Sequence, residues 1–221
     1  MSLDNEYSQK YRDYFSNNRS ELHSYLPENI KTILDVGMGE GVFLLSLKKN
    51  RPNLETWGIE LEKKSFEIAN DKVDNALFGT VEENINSIPE GYFDCISFND
   101  VLEHLVDPWQ VLESVKAKLN KNGFILASIP NVRYVNNLKK IILDKDWEYV
   151  EEGILDSTHL RFFTEKSIYS LFKKSGYTVK LVEGLDKRTT LKAKIFNILT
   201  FGHFKDTMYL RFAVIAKPEK K

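Results

Sequence analysis

The stretch ILDVGMGEGVF, residues 33–43, joins an apolar run to a turn that contains three alternating glycines. The apolar run ends on Asp35 and Val36, and apolar residues resume at Val42 with helical spacing. Glycine lets the backbone approach a ligand closely, and the amides at a helix N-terminus offer donors to a carboxylate or a phosphate. The stretch therefore indicates a strand, a turn and a helix that could hold a nucleotide-like ligand, although a plain tight turn would also explain the glycines.

Short β-like runs alternate with helical patterns along the chain. The predicted strands are residues 32–36, 55–60, 76–79, 93–98, 124–129, 179–183 and 209–216, and the predicted helices are 42–50, 62–71, 109–120 and 165–176. Two of these helices precede stop signals, Asn122-Gly123 and Ser175-Gly176, where glycine suits a left-handed cap. This alternation predicts an α/β fold with a mostly parallel sheet, covered on both faces, whose ligands bind beyond the carboxyl ends of the strands.

Length and composition restrict the class of protein. The chain has 221 residues, of which 42% are apolar, and this is enough for one α/β domain with a real core. Its 31 basic and 32 acidic side chains give a net charge of -1, which does not favour nucleic acid as a partner. No segment approaches the roughly 20 apolar residues of a membrane span, and the single cysteine, Cys95, suits a reducing compartment. We expect a cytoplasmic single domain over residues 1–221, without stable membrane insertion.

The spacing of the glycines narrows the choice of ligand. Gly37, Gly39 and Gly41 form the pattern G-x-G-x-G, whereas a dinucleotide fingerprint needs a third glycine at the position of Val42. The following predicted strand, ETWGIE, ends on Glu60, whose carboxylate could accept hydrogen bonds from two ribose hydroxyls. An ordinary surface glutamate at a helix start is the alternative for this residue. The pattern predicts a nucleoside ligand and disfavours a nicotinamide-dependent oxidoreductase.

Five segments in order resemble the class I S-adenosylmethionine-dependent methyltransferases. They are LDVGMGEG, GIE at the end of the second strand, FDCISFNDVLEHLVDP, GFILASIPN and DSTHLRFFTEKSIYSLFKKSGY. The likeness covers residues 10–185 and is strongest to small bacterial members linked to glycans and secondary metabolites. It implies S-adenosylmethionine as cofactor and a Rossmann-like, doubly wound, seven-stranded, mostly parallel sheet with an antiparallel last strand. Met38 departs from the cysteine or alanine usual in the family, at a position that contributes mainly its backbone.

The resemblance also implies a cofactor site, residue by residue. Asp35 is expected at or near the amino group of the methionine portion, and Glu60 at the ribose. The three glycines Gly37, Gly39 and Gly41 are expected to pack against the cofactor. These roles are chemically reasonable because the ligand carries a cation, a carboxylate and a diol.

Five further residues complete the cofactor site that the resemblance implies. Thr80 and Val81 fall where the family holds the adenine. The family often has aspartate at the position of Thr80, so the expected contact with the adenine here is the backbone amide of Val81. Asn99 and Asp100 are expected at the methionine end. Arg19, in a predicted N-terminal helix over about residues 5–25, could pair with the cofactor carboxylate or be a solvated surface charge.

Two of the four histidines lie within these motifs. Transfer of a sulfonium methyl needs an in-line nucleophile at about 3–3.5 Å, and a hydroxyl acceptor also needs a base. His104 follows the fourth predicted strand and His159 lies in DSTHLRFF, and we predict both as catalytic, with loop anchoring as the alternative for His104. Asp156 and Glu103 lie nearby, but none of the specific metal-ligand spacings is present, so no metal is predicted.

The segment of residues 131–163, inserted after the fifth strand, is predicted to choose the acceptor. Asn131, Arg133 and Tyr134 are predicted acceptor contacts, because amide and aromatic groups suit the hydroxyls and faces of carbohydrates. Arg161 could bind an anionic or polyhydroxyl acceptor with two parallel hydrogen bonds. The alternatives are an ion pair between Asp156 and Arg161 that anchors the loop, and core packing of the aromatic residues.

A second insertion, residues 187–207, contains the amphipathic run LKAKIFNILTFGHF. We expect it to pack over the sheet or the active site, with contact to a membrane or a partner as the alternative. The predicted function is transfer of a methyl group from S-adenosylmethionine to oxygen of a small-molecule or saccharide acceptor. Methylation at nitrogen or carbon, and a non-catalytic nucleoside-binding subunit, are the alternatives.

Overall fold

Seven strands form a sheet in the computed structural model, which describes residues 19–188, 195 and 197–219. The strands are β1 (Thr32–Val36), β2 (Glu55–Glu60), β3 (Asn75–Phe78), β4 (Phe93–Asn99), β5 (Leu119–Pro130), β6 (Tyr177–Leu185) and β7 (Arg211–Pro218). The α-helices are α1 (Val42–Asn50), α2 (Lys63–Asn70), α3 (Val81–Asn84), α4 (Pro108–Val115), α5 (Val135–Lys139) and α6 (Glu165–Lys174). A π-helix, Lys140–Asp144, follows α5, and short 3₁₀ helices include Ser20–Tyr25 and Lys205–Met208.

The strands are arranged in the order β3-β2-β1-β4-β5-β7-β6. All neighbouring pairs from β3 to β5 are parallel, whereas β7 runs antiparallel to both β5 and β6. The predicted Rossmann-like sheet with an antiparallel last strand is therefore confirmed. The strand order reverses between β1 and β4, and loops that leave neighbouring strands at such a point separate and open a cleft.

Alternate residues of the central strands enter two hydrophobic layers, one on each face of the sheet. Leu34, Ile96 and Ala127 pack in one layer with α4 and α6. Ile33 and Cys95 pack in the other layer with α1. Burial on both faces explains why these strands read as continuous apolar runs rather than as alternating ones.

Side-chain caps start several of the helices. The Glu62 carboxylate accepts hydrogen bonds from two amides in the first turn of α2, and Asp107 accepts one from Gln110 N ahead of α4. Thr164 and Ser167 form a reciprocal capping box at α6. Gly176 follows α6 with φ of 74°, so the predicted Ser175-Gly176 stop signal is confirmed.

The predicted helix over residues 109–120 is wrong at its C-terminal end. The helix stops at Val115, a 3₁₀ turn follows, and Leu119 already pairs with Phe93 in the sheet. Gly123 lies inside β5 rather than at a left-handed cap. A Cβ atom there would lie 2.6 Å from the Phe93 carbonyl oxygen, so this glycine allows a close strand approach instead of ending a helix.

The predicted N-terminal helix and the second insertion, residues 187–207, differ from expectation where the structure describes them. Of the predicted helix over residues 5–25, residues up to 18 lie outside the described part, and Ser20–Tyr25 is a 3₁₀ helix preceded by Arg19 with φ of 46°. In the late insertion, Lys192 and Lys194 lie outside the described residues. Phe201 is 94% exposed, and Ile195, Ile198 and Leu199 are also exposed, so these side chains do not pack over the sheet. No helix among the described residues is long and apolar enough to cross a bilayer.

Met38, the residue that departs from the family pattern, is accommodated by a glycine in the neighbouring strand. Its side chain is buried against Gly58, which pairs with Asp35 across the sheet. A Cβ atom on Gly58 would lie 2.0 Å from the Met38 sulfur and 2.9 Å from its Cγ. The two residues therefore share one space, and each restricts what the other can be.

We expect Gly58→Ala to lower the free energy of unfolding by about 1–3 kcal/mol, because the added methyl group overpacks this space. Met38→Ala removes the side chain that would clash, so the double variant should be more stable than the sum of the two single losses implies. Urea unfolding of the four proteins, followed by circular dichroism, completes the cycle. Strictly additive losses would show that the two residues do not share the space.

Candidate active site

A cleft opens beyond the carboxyl ends of β1, β2 and β4, where the strand order reverses. The predicted residues that line it are Arg19, Asp35, Gly37, Gly39, Glu60, Thr80, Val81, Asn99, Asp100 and His104. Gly41, His159, Asn131, Arg133, Tyr134 and Arg161 are not among its lining residues. The sheet thus brings nearly all of the predicted cofactor residues together, and places the predicted acceptor residues elsewhere.

A different physical constraint favours glycine at each of the three positions of the turn. A Cβ atom on Gly37, whose φ is 74°, would lie 2.6 Å from the Val101 side chain. The Gly39 amide donates to Glu60 Oε2 at 2.8 Å. A Cβ on Gly41 would meet Val73 at 3.0 Å, so this glycine allows α1 to pack beside the end of α2 and does not line the cleft.

Asp35 ends β1 as a buried carboxyl group with an exposed fraction of 1%. It accepts hydrogen bonds from Ser97 Oγ at 2.7 Å and from Asn99 Nδ2 at 3.0 Å, both from the neighbouring strand β4. Burial raises the pKa of Asp35 to about 8, against the opposing effect of these hydrogen bonds. Asn99 Oδ1 is buried and has no partner among the described residues. The ends of β1 and β4 therefore present two acceptors, the Asp35 carboxyl group and Asn99 Oδ1, that a cationic group would satisfy.

Glu60 ends β2 and is buried at the opposite wall of the turn. Its two carboxylate oxygens accept from backbone amides, Oε2 from Gly39 at 2.8 Å and Oε1 from Glu62 at 2.7 Å. Burial raises the pKa of Glu60, and these amides oppose the shift. The carboxylate is thus held in one orientation by the glycine turn on one side and by the start of α2 on the other.

Asp100 follows β4 in the left-handed region, with φ of 56°. Its Oδ2 lies 2.6 Å from Arg19 Nη1 and 3.0 Å from Arg211 Nη1, and its Oδ1 accepts from Ser128 Oγ at 2.5 Å. Burial opposes ionisation of Asp100, but the two arginines outweigh it and keep the pKa of this carboxyl below its usual value. Arg211 was missed by the sequence reasoning, since no motif surrounds it.

His104 lines the cleft, and the residue Thr158 orients its ring. The His104 Nδ1 atom lies 3.2 Å from the Thr158 carbonyl oxygen and 3.1 Å from Thr158 Oγ1. The hydroxyl donates its proton to Asp156 Oδ1 at 2.7 Å, so it can only accept from the imidazole, as the carbonyl does. In the neutral ring this places the proton on Nδ1 and leaves the lone pair on Nε2.

His159 lies behind His104 rather than in the cleft. Its buried ring packs edge-on against that of His104, with centroids 4.6 Å apart, and its Nδ1 contacts the Ile154 carbonyl oxygen at 2.9 Å. Its Nε2 is 3.9 Å from Glu103 Oε1. Burial raises the pKa of Glu103 well above its usual value, and neither carboxyl oxygen forms a hydrogen bond with the described residues. One ligand atom of each of these three residues lies within 4.8 Å of the others, so the cluster could share a proton or hold a cation.

The predicted acceptor residues brace the inserted segment. The buried Asn131 side chain donates to the carbonyl oxygens of Asp206 and Tyr209 and accepts from the Arg133 amide. The Arg133 guanidinium pairs with the Asp206 carboxylate at 2.5 Å, and Tyr134 is buried. These contacts tie the start of the insertion to the chain just before β7.

Arg161 anchors the loop after β4. Its guanidinium donates to the Val106 carbonyl oxygen at 2.5 Å and lies 6.0 Å from the Trp109 ring centroid. The sequence left an ion pair with Asp156 as the alternative, and the contacts found for the Asp156 carboxylate are with the Thr158 amide and hydroxyl, both at Oδ1. The Leu160 and Arg161 amides both donate to the Glu103 carbonyl oxygen at 2.9 Å, so this loop and the insertion are joined by their backbones.

A seven-stranded sheet in this order, with an acid and a glycine turn after β1 and an acid at the end of β2, defines the Rossmann-like methyltransferase class. Residues 7–182 match the family model described as "Methyltransferase domain", and the chain belongs to that family. The protein is an S-adenosylmethionine-dependent methyltransferase.

Relatives and solved structures agree with this assignment. The chain is 28% identical over 170 residues to a "Ubiquinone biosynthesis O-methyltransferase" of Hydrogenovibrio crunogenus, covering 73% of this chain and 68% of that protein. It is 26% identical over 163 residues to the protein of the same name from Vibrio parahaemolyticus, covering 70% and 67%. A SAM-dependent methyltransferase from Archaeoglobus fulgidus has the same fold, with a TM-score of 0.65, 20% identity and coverage of 90% and 91%. A Thermotoga maritima structure described as a possible histamine N-methyltransferase has a TM-score of 0.63, 21% identity and coverage of 98% and 96%.

The raised pKa of Asp35 predicts a specific pH dependence of stability. The folded state keeps on this carboxyl a proton that the unfolded state releases above its ordinary pKa of 3.8. The contribution of the Asp35 carboxyl group to stability is therefore fully present below pH 3.8 and is lost as the pH rises towards about 8. Asp35→Asn stays neutral throughout, so we expect it to melt at least about 3 °C above the parent at pH 9 and by a smaller margin at pH 5.

Thermal unfolding of the ligand-free proteins between pH 5 and pH 9 measures this difference. Asp107→Asn is the matched control, because Asp107 is exposed and asparagine also caps helices, so its melting temperature should track that of the parent. Parallel melting curves for Asp35→Asn and the parent at every pH would contradict the prediction.

Proposed function

We propose that this methyltransferase methylates a hydroxyl group of a small molecule and that His104 is the general base. The observation that carries the proposal is the chain of hydrogen bonds from Asp156 through Thr158 to His104 Nδ1. It leaves the second ring nitrogen as the basic atom of a residue that lines the cleft. The O-methyltransferase names of the relatives from Hydrogenovibrio and Vibrio support oxygen as the accepting atom.

The residues of the cleft fit the cofactor. When bound, S-adenosylmethionine supplies an electrophilic sulfonium methyl group. Asp35 and the unpartnered Asn99 Oδ1 would accept from its ammonium group, and Arg19 would pair with its carboxylate. Glu60, already oriented by backbone amides, would accept from the ribose hydroxyls.

The adenine would lie against the start of α3. Thr80 caps this helix, because its hydroxyl accepts from the Glu83 amide and its own amide donates to the Glu83 carboxylate. Its side chain is therefore occupied, and Val81 lines the cleft beside it. This arrangement favours recognition of adenine by shape and by backbone rather than by the side chain of Thr80.

His104 would take the proton of the acceptor hydroxyl on Nε2 as the methyl group passes to the hydroxyl oxygen, with one carbon–oxygen bond formed and one carbon–sulfur bond broken, whose electron pair stays on sulfur. The imidazolium that results would be stabilised through its Nδ1–H by the Thr158 carbonyl and hydroxyl oxygens, and through the hydroxyl by buried Asp156. His159 packs against the ring of His104 and would limit its rotation, which makes it a positioning residue in this proposal.

Exposed aromatic residues of the insertion favour an acceptor with a ring. Trp147 packs edge-on against Phe162 with centroids 5.0 Å apart, and Phe162 lies 6.4 Å from the ring of His159. Trp147 and Tyr149 are both exposed. A phenolic or saccharide acceptor would use such faces, whereas the net charge of -1 gives no attraction for nucleic acid. We propose a cytoplasmic location, in keeping with the buried free thiol of Cys95.

The first experiment identifies the acceptor and the atom that is methylated. Purified protein with methyl-labelled S-adenosylmethionine is screened against catechols, simple phenols and sugar nucleotides, and the products are read by mass spectrometry and NMR. We expect an O-methyl product. A methyl group on nitrogen or carbon would contradict the proposal, and cofactor binding without transfer to any acceptor would favour a non-catalytic role.

With the best acceptor, we expect His104→Ala to lower kcat about 100-fold, with the Kd for S-adenosylhomocysteine changed by less than about threefold. Thr158→Val removes one of the two acceptors at Nδ1 and should lower kcat by about tenfold. His203→Ala is the control, because His203 is exposed and does not line the cleft, and it should leave both values unchanged.

The same assay in EDTA separates a base from a metal ligand. We expect turnover of the parent to be unaffected by the chelator. Turnover that falls in EDTA and returns with a divalent cation would assign the cluster of Glu103, His104 and His159 to metal binding instead. Unchanged turnover of His104→Ala would remove this residue from the mechanism.

A further inference from the structure

Arg211, the first residue of β7, collects three carboxylates from distant parts of the chain. Its Nη1 lies 3.0 Å from Asp100 Oδ2, and its Nη2 lies 2.8 Å from Glu21 Oε1 and 2.6 Å from Asp186 Oδ2. Its Nη1 also lies 3.4 Å from Ser128 Oγ, and the side chain is 12% exposed. Of the three carboxylates, Asp100 lines the cleft.

Unfavourable backbone conformations are concentrated around this arginine. Five non-glycine residues among those described have positive φ, and three of them belong to the same ionic network: Arg19 at 46°, Asp100 at 56° and Asp186 at 52°. Residues persist in this region only when their surroundings hold them there. Arg211 contacts two of the three directly and reaches Arg19 through Asp100.

The charges explain why two arginines are needed. Asp100 Oδ2 is shared, with Arg19 at 2.6 Å on one side and Arg211 at 3.0 Å on the other. Without Arg211, the carboxylates of Asp100, Glu21 and Asp186 would repel one another, Asp100 would keep a single cation, Arg19, and the left-handed turn at Asp100 would lose one of its restraints. The ion pair between Asp100 and Arg19 at the wall of the cleft would then lose its fixed geometry.

We infer that Arg211 is a positioning residue that selects ligands with a carboxylate: it fixes Asp100, and Asp100 holds Arg19 where the carboxylate end of the cofactor binds. The inference rests on the proposed role of Arg19 in the cofactor site. It adds a residue from the last strand, about 110 positions along the chain from Asp100, to the recognition of the methionine portion.

Two ligands that differ only in the carboxylate test this inference. S-adenosylhomocysteine has the carboxylate, and S-adenosyl-3-thiopropylamine keeps the adenosine, the thioether and the amine but lacks it. By titration calorimetry we expect Arg211→Met to weaken binding of the first ligand at least about tenfold and of the second less than about twofold. Arg133→Met is the matched control, because Arg133 forms a similar ion pair with Asp206 outside the cleft, and it should change neither value.

A double variant tests whether the two arginines act as one unit. Arg19→Met should weaken the binding of S-adenosylhomocysteine as much as Arg211→Met does. The double variant should bind this ligand no more weakly than Arg19→Met alone. Arg211→Lys keeps one charge beside Asp100 and should lose less affinity than Arg211→Met, which provides a folded variant if the methionine variant proves unstable.

Several results of these binding measurements would overturn the inference. If Arg211→Met and Arg211→Lys lose the same factor of affinity for both ligands, Arg211 has only a structural role and the inference is overturned. Unchanged affinities in these variants, or additive losses of affinity in the double variant, would also overturn it. If the parent protein itself does not prefer S-adenosylhomocysteine over the amine ligand, the proposed cofactor role of Arg19 fails, and the inference fails with it.

Discussion

Two buried carboxyl groups at the edge of the sheet, Asp35 and Glu60, are the constraint on which the site depends. Removing a carboxylate from water is unfavourable unless hydrogen bonds or an opposite charge replace the water. Backbone amides supply the hydrogen bonds at Glu60, whereas at Asp35 a hydroxyl and a side-chain amide supply them incompletely, so its pKa rises to about 8. The edge is therefore suited to receive a cation.

The loop after β4 connects this acidic edge to the rest of the site. Its left-handed residue Asp100 joins the two arginines, while Glu103 and His104, a few residues later, face the insertion. The Glu103 carbonyl oxygen accepts hydrogen bonds from two amides of the insertion, so backbone contacts join the two segments. The ionic contacts of Asp100 on one side of the loop and the orientation of His104 on the other are thus connected through the same loop.

Residue type alone did not indicate which groups the predicted acceptor residues contact in the folded chain, because it does not give the direction of a side chain. Asn131 and Arg133 have the amide and guanidinium groups expected of sugar contacts, yet their hydrogen bonds go to Asp206 and Tyr209, more than 70 positions away in the chain. Gly123 has the composition of a helix stop but lies in β5, because pairing with β4 decides its conformation. A polar side chain read in isolation does not reveal whether it faces a cleft or another loop.

By itself the sequence determined the order of the strands along the chain, the mostly parallel sheet and most of the polar residues and glycines that meet in the cleft. These features follow from local patterns, since apolar runs, glycine spacing and acids at strand ends act within a few residues of one another. Only the tertiary structure decided that Thr158 orients His104, that His159 lies behind it, and that Arg211 shares Asp100 with Arg19. Those relations join side chains from separate loops and strands, and nothing short of the folded sheet specifies which of them meet.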